Sequence, residues 1–223
     1  MNQEKKFFEN EGNNWFMRNK RALSDAHDAI KQDWILVMLE KYGIKPHRIL
    51  EIGCSNGWRL DVLQKKYGAE CVGVEPSIAA IEDGKQRYPL LKLHRGLASK
   101  LSIEGTFDLV IVPFVFHWVG RAELLRSVAE VDRVVADGGF LMISDFAPDA
   151  PMRTVYHHLP NEGVYTYKID YANIFTSTAL YSMVARFTFG HDSGKLETKV
   201  DSSARGVCVL LRKSFTDFMV EKR

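Results

Sequence analysis

The apolar residues of this chain follow two different spacings. From about Arg21 to Tyr42 they recur every three or four positions, which predicts one helix. Between residues 48 and 144, short apolar runs alternate with amphipathic segments, and this alternation predicts a parallel sheet with helices on both faces. The predicted strands are Arg48–Ile52, Glu70–Glu75, Leu90–Leu93, Phe107–Val112 and Phe140–Ser144, and the predicted helices are Arg59–Tyr67, Ser77–Arg87 and Leu124 to the Gly138-Gly139 pair.

The rest of the chain has a different pattern. Residues Asp145 to Leu180 are irregular and rich in Tyr, His and Pro. Two β-like runs follow, Met183–Phe189 and Gly206–Arg212, and we expect them to pair antiparallel at the sheet edge. The predicted fold class is α/β, a doubly wound and mostly parallel seven-stranded sheet with an antiparallel last hairpin. We expect a single domain over 1–223, made of a helical cap (1–45), a core (46–144), a lid insertion (145–182) and the C-terminal hairpin (183–223).

Composition narrows the partners and the compartment. Lys and Arg number 30 and Asp and Glu 28, and the net charge of +2 favours neither nucleic acid nor an anionic membrane surface. Cys54, Cys71 and Cys208 are scattered, so neither a disulfide framework nor a zinc site is expected. The longest apolar run, Leu109–Val119, is shorter than the roughly 20 residues of a membrane span. We therefore expect a cytoplasmic protein.

A loop of small residues follows the first predicted strand. Residues Gly53 to Gly57 read Gly-Cys-Ser-Asn-Gly, so the backbone can turn sharply and approach a ligand closely. Ligands of doubly wound sheets bind at the carboxyl ends of the strands. Glu51 precedes the loop and suits an ammonium group, whereas it would repel a pyrophosphate. Glu75 ends the second strand, where a carboxylate accepts hydrogen bonds from ribose hydroxyls. The two acids predict a ligand with an amine and an unphosphorylated ribose.

Three interpretations of the loop compete. A dinucleotide site needs Gly-x-Gly-x-x-Gly, but Ser55 and Trp58 occupy its second and third glycine positions. A hydrolase nucleophile elbow needs Gly-x-Ser-x-Gly, which Gly53 to Gly57 matches, although such an elbow normally follows several strands. The third interpretation is a turn that binds S-adenosylmethionine (SAM).

Four motifs in a fixed order favour the third interpretation. The string from Ile49 to Gly57 resembles motif I of the class I SAM-dependent methyltransferases, and Val72–Ser77 resembles their acidic second motif. Phe107–Val112 is similar to their fourth-strand motif, and Arg133–Gly139 to the turn before strand five. Four ordered motifs are far more specific than one. The resemblance implies a Rossmann-like methyltransferase fold, SAM as cofactor and S-adenosylhomocysteine (SAH) as its product.

The resemblance also implies which residues contact the cofactor. The loop after the first strand would surround the methionine part, Glu75 would hold the ribose, and Leu97 and Ala98 would edge the adenine. Leu97 departs from the family pattern, because many relatives carry an acid there that contacts the adenine amino group. Ser55 departs from it by replacing the middle glycine of motif I. With Arg18, which we expect near the cofactor carboxylate, the candidates are Arg18, Glu51, Gly53, Cys54, Ser55, Gly57, Glu75, Pro76, Leu97, Ala98 and Pro113.

Two residues are candidates for catalysis. Methyl transfer to a hydroxyl gains from a base. His117 lies just past the fourth strand, which faces the methyl group in the resembled family, and Asp145 ends the fifth strand. We expect Trp118 to line the substrate pocket, and we expect Tyr165 and Tyr167 to contact a ring substrate. A packing role stays open for each of these residues, and no metal ion is expected.

The substrate class follows mostly by exclusion. Methylation of nucleobase amino groups is associated in this superfamily with Asp/Asn-Pro-Pro-aromatic after strand four, whereas Val112–Val115 reads Val-Pro-Phe-Val. This favours O- or N-methylation of a small molecule. The whole chain also looks similar to methyltransferases of bacterial sugar and polysaccharide pathways. We expect a monomer or homodimer. Two other functions stay open, a non-catalytic SAM-binding regulator and an NAD-dependent oxidoreductase.

Overall fold

Parallel strand pairing organises the centre of the chain. The structure is a computed structural model that describes residues 3–25 and 33–217. The strands are β1 (Arg48–Ile52), β2 (Glu70–Glu75), β3 (Lys92–Arg95), β4 (Phe107–Pro113), β5 (Val135–Phe146), β6 (Met152–Val155), β7 (Tyr165–Lys168), β8 (Tyr181–Gly190) and β9 (Arg205–Lys213). The helices are α1 (Gln3–Lys6), α2 (Gly12–Asp25), α3 (Trp34–Lys41), α4 (Trp58–Tyr67), α5 (Ile78–Arg87), α6 (Leu124–Val134) and α7 (Ala172–Thr176).

Seven strands form one sheet in the order β3-β2-β1-β4-β5-β9-β8. The pairs among β1 to β5 are parallel, and β9 runs antiparallel to both β5 and β8. The predicted fold class is therefore confirmed, including its antiparallel last hairpin. Because the strand order reverses beside β1, the carboxyl ends of β1 and β4 form the switch point at which such sheets bind ligands.

Both faces of the sheet are buried. Neighbouring residues of a strand point to opposite faces, so each central strand contributes to two apolar clusters. Helices α3 and α4 cover one cluster, and α6 and α7 cover the other. The first cluster contains Ile49, Leu109 and Met142, and the second contains Leu50, Val110 and Leu141. The amphipathic segments between the strands thus serve as the two helical layers that the sequence predicts.

The single helix predicted over Arg21–Tyr42 is wrong. Asp33 has an extended backbone, with φ −79° and ψ 106°, and its side chain accepts hydrogen bonds from the N–H groups of Ile35 and Leu36 at 3.1 and 3.0 Å. Asp33 is therefore the N-cap of α3, which begins a new helix. Residues 26–32, in the middle of the predicted helix, lie outside the described residues.

Two further elements differ from the prediction. Strand β5 begins at Val135, because Val135 pairs with Phe107 before the register shifts and Phe140 pairs with Leu109. The residues around Gly138, which has φ +75°, form this irregularity within the strand. The insertion predicted to be irregular contains an antiparallel hairpin of β6 and β7 and the short helix α7.

The start of the chain lies over the carboxyl ends of the strands. A π-helical turn, Phe7–Glu11, joins α1 to α2. Gln3 donates hydrogen bonds to the carbonyl oxygens of Trp118 and Tyr165 at 2.6 and 2.8 Å, and Tyr165 N–H donates to Gln3 Oε1 at 3.0 Å. One side chain therefore links α1 to the loop after β4 and to β7. Within residues 3–25 and 33–217, none of the helices has the length and apolarity that a bilayer crossing requires.

We predict that Gly73→Ala destabilises the fold. A Cβ at Gly73 in β2 would lie 2.5 Å from Cys54 Sγ and 2.7 Å from Leu93 Cδ2. Such overpacking costs roughly 1–3 kcal/mol of unfolding free energy, which urea unfolding measures. Cys54→Ala removes the closer atom, so the double variant should lose less stability than the sum of the two single variants. Strict additivity would contradict the proposed contact.

Candidate functional site

A continuous cleft lies at the carboxyl ends of the central strands. We name its two parts the β2 half and the β5 half. The β2 half is lined by Glu75 and Pro76 after β2, by Leu97 and Ala98 after β3, and by residues of α1 and the π-helical turn. The β5 half is lined by His117, Phe146, Tyr156, Lys168 and His191, among others. Both halves share Trp15, Gly53, Ser55, Pro113, Phe114 and Trp118.

The loop after β1 forms the floor between the halves. Gly53 has φ +76°, and a Cβ there would lie 2.3 Å from Val115 Cγ2, so only glycine fits. Gly53 N–H donates to the Val74 carbonyl at 2.7 Å, which holds the loop against β2. Ser55 has φ +52°, a conformation uncommon outside glycine. Its Oγ is buried and has no hydrogen-bond partner among the described residues.

Glu75 joins the ends of β1 and β2. Its Oε2 accepts a hydrogen bond from Ser55 N–H at 2.9 Å, and its Oε1 accepts one from Ser77 N–H at 3.0 Å. Burial raises the pKa of Glu75 to about 7, although the two N–H donors oppose that shift. Because a carboxylate has about four lone-pair sites, Glu75 can still accept hydrogen bonds from a ligand in the β2 half.

Glu51 presents an unsatisfied oxygen near the floor of the cleft. It is 1% exposed, and one of its oxygens accepts a hydrogen bond from Arg59. The other, Oε2, is buried and has no partner among the residues described. Arg59 also donates to Asp33 Oδ2 at 3.0 and 2.9 Å, so it is shared between two acids. Burial raises the pKa of Glu51 to about 7 despite the neighbouring Arg59. A cationic donor in the cleft would satisfy Oε2.

His117 and Asp145 form a buried pair beside the β5 half. His117 lies in a 3-10 turn after β4, and Asp145 lies near the end of β5. His117 Nδ1 is 2.9 Å from Asp145 Oδ1, and His117 N–H donates to Asp145 Oδ2 at 3.3 Å. Asp145 Oδ1 also accepts from Phe146 N–H at 2.8 Å. The ring of His117 lines the cleft, while Asp145 lies behind it.

The cleft is covered by segments outside the sheet. Trp15 on α2 lies over both halves. Tyr156, after β6, packs its ring against Trp118 with centroids 4.6 Å apart and donates to Glu11 at 2.7 Å. On β7, Thr166 and Lys168 face the β5 half. The cover therefore consists of the N-terminal helices and the β6–β7 hairpin.

Most residues selected from the sequence converge on this cleft. Trp15 of the N-terminal helix α2 lines both halves as well. The cleft brings together Glu51, Gly53, Cys54, Ser55, Glu75, Pro76, Leu97, Ala98, Pro113, His117 and Trp118.

Five selected residues lie elsewhere. Arg18 donates to Glu11 and to Tyr156 Oη, the latter at 2.8 Å, and does not line the cleft. Gly57 is the left-handed N-cap of α4 and packs against Leu91. Asp145 reaches the cleft only through His117. The structure places Tyr165 and Tyr167 on the face of β7 opposite Thr166 and Lys168, because successive strand residues alternate.

The sequence-based selection missed several lining residues. Arg59, Lys168 and His191 line the β5 half, and Glu4 lines the β2 half. The alternation along β7 is a signal that could have selected Lys168 in place of the tyrosines, once that segment was taken as a strand. The other three come from segments whose position depends on tertiary packing.

The hydrolase interpretation of the loop is wrong. A nucleophilic serine needs a base within hydrogen-bond reach, and Ser55 Oγ contacts none among the residues described. Cys54 does not offer an alternative nucleophile, since burial raises the pKa of its thiol well above the ordinary range. In the described part of the chain, no three His, Cys, Asp or Glu side chains cluster as a metal site requires.

We predict a pH-dependent stability difference for Glu75→Gln. Glu75 has a pKa of about 7 in the folded protein and 4.5 as the ordinary value, so the folded protein binds the proton more tightly. Protonated Glu75 therefore stabilises the folded protein most below pH 4.5, the ordinary pKa. This stabilisation is lost as the pH rises through about 7, the pKa in the folded protein. Between about pH 5 and pH 8 the variant should gain about 1–3 kcal/mol relative to the wild type.

Urea unfolding without ligand at both pH values measures this difference. Because Glu51 is present in both proteins, its own titration largely cancels in the difference between their unfolding free energies. A difference in unfolding free energy that does not change with pH would mean that Glu75 is ionised throughout.

Comparison with known proteins identifies the domain around this cleft. A family model described as a methyltransferase domain matches residues 50–143. An uncharacterised methyltransferase of Synechocystis is 32% identical over 109 residues, which cover 48% of this chain and 51% of the relative. The malonyl-[acyl-carrier protein] O-methyltransferase of Halorhodospira halophila is 27% identical over 122 residues, covering 52% of this chain and 41% of the relative. The chain thus spans about half the length of these curated relatives, or less.

Solved structures agree in fold over most of the chain. The 1,6-didemethyltoxoflavin-N1-methyltransferase of Burkholderia thailandensis, solved with bound 1,6-didemethyltoxoflavin and SAH, has a TM-score of 0.65 at 14% identity. The match covers 87% of this chain and 86% of that chain. The N-methyltransferase NodS of Bradyrhizobium japonicum, in complex with SAH, has a TM-score of 0.59 at 15% identity, covering 84% and 87%. At such identities the likeness establishes the fold alone.

The matched family domain runs from β1 into β5 and contains the loop and both acids of the cleft floor. The match favours the SAM-binding interpretation of this loop over the dinucleotide interpretation. Residues 50–143 therefore match a methyltransferase domain, which supports the resemblance of this region to the class I SAM-dependent methyltransferases.

Proposed function

We propose that this protein transfers a methyl group from SAM to an oxygen or nitrogen nucleophile of a small molecule, with His117 as the base. The observation that carries the proposal is the buried His117–Asp145 pair, whose imidazole lines the β5 half of the cleft. The β2 half serves the cofactor and the β5 half serves the acceptor.

The chemistry of the β2 half, together with Glu51 at the adjoining part of the β5 half, fits SAM. The buried Oε2 of Glu51 and the buried Oγ of Ser55 have no partners among the described residues, and they match the ammonium and polar groups of a methionine tail. Glu75 offers a carboxylate to the two hydroxyls of an unphosphorylated ribose. Gly53 has no Cβ, and this absence lets the backbone of the loop approach the ligand. When bound, SAM supplies an activated methyl group on a sulfonium.

The work left to the protein is positioning and proton transfer. Asp145, which accepts hydrogen bonds, holds the proton of His117 on Nδ1, so the lone pair of Nε2 is the one available on the cleft side. In that state His117 accepts a proton from an acceptor hydroxyl or ammonium as the nucleophile forms. Holding the nucleophile in line supplies the remaining acceleration. Trp15, Trp118 and Tyr156 cover the cleft and exclude water.

The walls of the β5 half favour a polar ring as the acceptor. Phe114, Phe146 and His191 pack together, with ring centroids 5.7 Å apart for Phe114–Phe146 and 4.6 Å for Phe146–His191. Lys168 Nζ lies 3.9 Å from the Phe146 ring centroid and donates to the Ser203 carbonyl at 2.6 Å, which leaves further N–H donors. Aromatic faces beside hydrogen-bond donors suit a sugar or a sugar precursor, the acceptor class that we propose.

We predict that His117→Ala lowers the turnover number by about 10²–10⁴-fold, because the base is lost, and leaves SAH affinity within a few-fold. Asp145→Asn should also lower turnover with little effect on SAH affinity, since the amide can donate to Nδ1 and reverse the tautomer of the ring. The assay uses methyl-labelled SAM with a panel of sugars, nucleotide sugars, hydroxy acids and amines. Calorimetry with SAH measures binding separately.

His94→Ala is the matched control, because His94 is exposed on β3 and outside the cleft. It should keep full turnover. A His117→Ala variant with unchanged turnover would remove His117 as the base. SAH binding without methyl transfer to any member of the panel would contradict the enzymatic proposal and favour a SAM-binding regulator.

A further inference from the structure

A buried carboxylate from the N-terminal helix enters the β2 half of the cleft. Glu4 on α1 is 7% exposed and lines this half together with Leu97 and Ala98. Its Oε2 accepts a hydrogen bond from Ser99 Oγ at 2.5 Å. Among the described residues, no hydrogen-bond donor reaches its Oε1. Glu4 therefore brings a free acceptor atom into a ligand cleft, although the family domain does not include this residue.

The surroundings of Glu4 are apolar. Phe7, Ala98, Trp118 and Val119 line the same half of the cleft. A buried carboxylate in such surroundings is costly unless it is hydrogen-bonded. Burial raises the pKa of Glu4, and the Ser99 hydroxyl only partly offsets this effect. The charges of Glu123 and Arg126 act on it in opposite directions. A ligand that donates a hydrogen bond to Oε1 would supply the missing compensation.

Glu4 lines the same half of the cleft as Glu75, Leu97 and Ala98. Glu75 lies at the strand end where the ribose is expected, whereas Ser99, the partner of Glu4, directly follows Leu97 and Ala98. A flat base between these apolar residues would direct its polar edge to Glu4. The hydrogen bonds of Gln3 to Trp118 and Tyr165 fix the neighbouring residue on α1. The carboxylate is thus held in place before a ligand binds.

We propose that Glu4 accepts a hydrogen bond from the exocyclic amino group of adenine and so selects an adenine nucleoside in the cofactor site. This inference rests on the proposed use of the β2 half for SAM. Leu97 has no polar side chain for this contact, and Glu4 supplies it from a different part of the chain. The contact also makes α1 part of the cofactor site.

The test compares SAH with its 6-oxo analogue, S-inosylhomocysteine, in calorimetric titrations of the full chain. The wild type should prefer SAH, since a carboxylate repels a carbonyl oxygen and attracts an amino group. Glu4→Gln should bind SAH about 10–100-fold more weakly, the loss expected for a hydrogen bond to a charged group. Its preference for SAH should shrink or reverse, because the amide can donate to the 6-oxo group.

Two matched variants separate recognition from structure. Glu123→Gln removes a nearby acid that does not line the cleft, and it should keep both the SAH affinity and the preference. Ser99→Ala removes the internal partner and leaves the Glu4 carboxylate, so the preference should persist even if α1 packs less firmly. Thermal unfolding of each variant verifies that it is folded.

The outcomes are distinct. A Glu4→Gln variant that binds both ligands more weakly by the same factor would show that Glu4 only holds the cover, and the inference would be overturned. Unchanged SAH affinity would overturn it as well. A wild type that binds neither ligand would overturn the proposed function and this inference together, whereas tight SAH binding with an unaltered preference in Glu4→Gln would overturn the inference alone.

Discussion

The structure depends on one carboxylate buried between two strand ends. Glu75 accepts hydrogen bonds from the N–H groups of Ser55, in the loop after β1, and of Ser77, the N-cap of α5. This bridge offsets the strain of a serine in the left-handed region. It also holds the floor of the cleft in one conformation before any ligand arrives. The residue that orders the apo loop is thus the residue that a ribose would meet, so binding requires little rearrangement of the floor.

The two halves of the cleft are built by different means. The β2 half is formed largely by loops at the ends of parallel strands, whose backbone is fixed by the sheet. The β5 half takes many of its walls from the β6–β7 hairpin and the loop after β8, which lie outside the matched family domain. Loops and insertions on a rigid scaffold are where binding specificity commonly resides. The acceptor side of the cleft is therefore the part that depends most on segments outside the matched domain.

Sequence patterns predicted the parts of the structure that local physics determines. The apolar runs located the strands because both faces of a central parallel strand are buried. The loop after β1 was predictable because Gly53 meets a steric limit that excludes a Cβ. Glu51, Glu75 and His117 could be selected as site residues because each lies at or near the carboxyl end of a predicted strand.

Other features depend on contacts distant in sequence, and a linear pattern does not contain them. The apolar spacing continues through Asp33, so the helix start becomes visible only from the N-cap hydrogen bonds. The sequence selected Arg18 for an anion near the cofactor, but tertiary partners place Arg59, and not Arg18, at the cleft. Arg18 is engaged with Glu11 and Tyr156, while Arg59 joins Glu51 to Asp33. Glu4 reaches the cleft because α1 packs against a loop nearly 100 residues away, at Ser99.

The three hydrogen bonds of Gln3 have a consequence for the two covers of the cleft. They join the helix that covers the nucleoside end to the turn and the hairpin that cover the acceptor end. Any displacement of the helix away from the turn and the hairpin would break all three bonds, so a single glutamine side chain ties the position of one cover to that of the other.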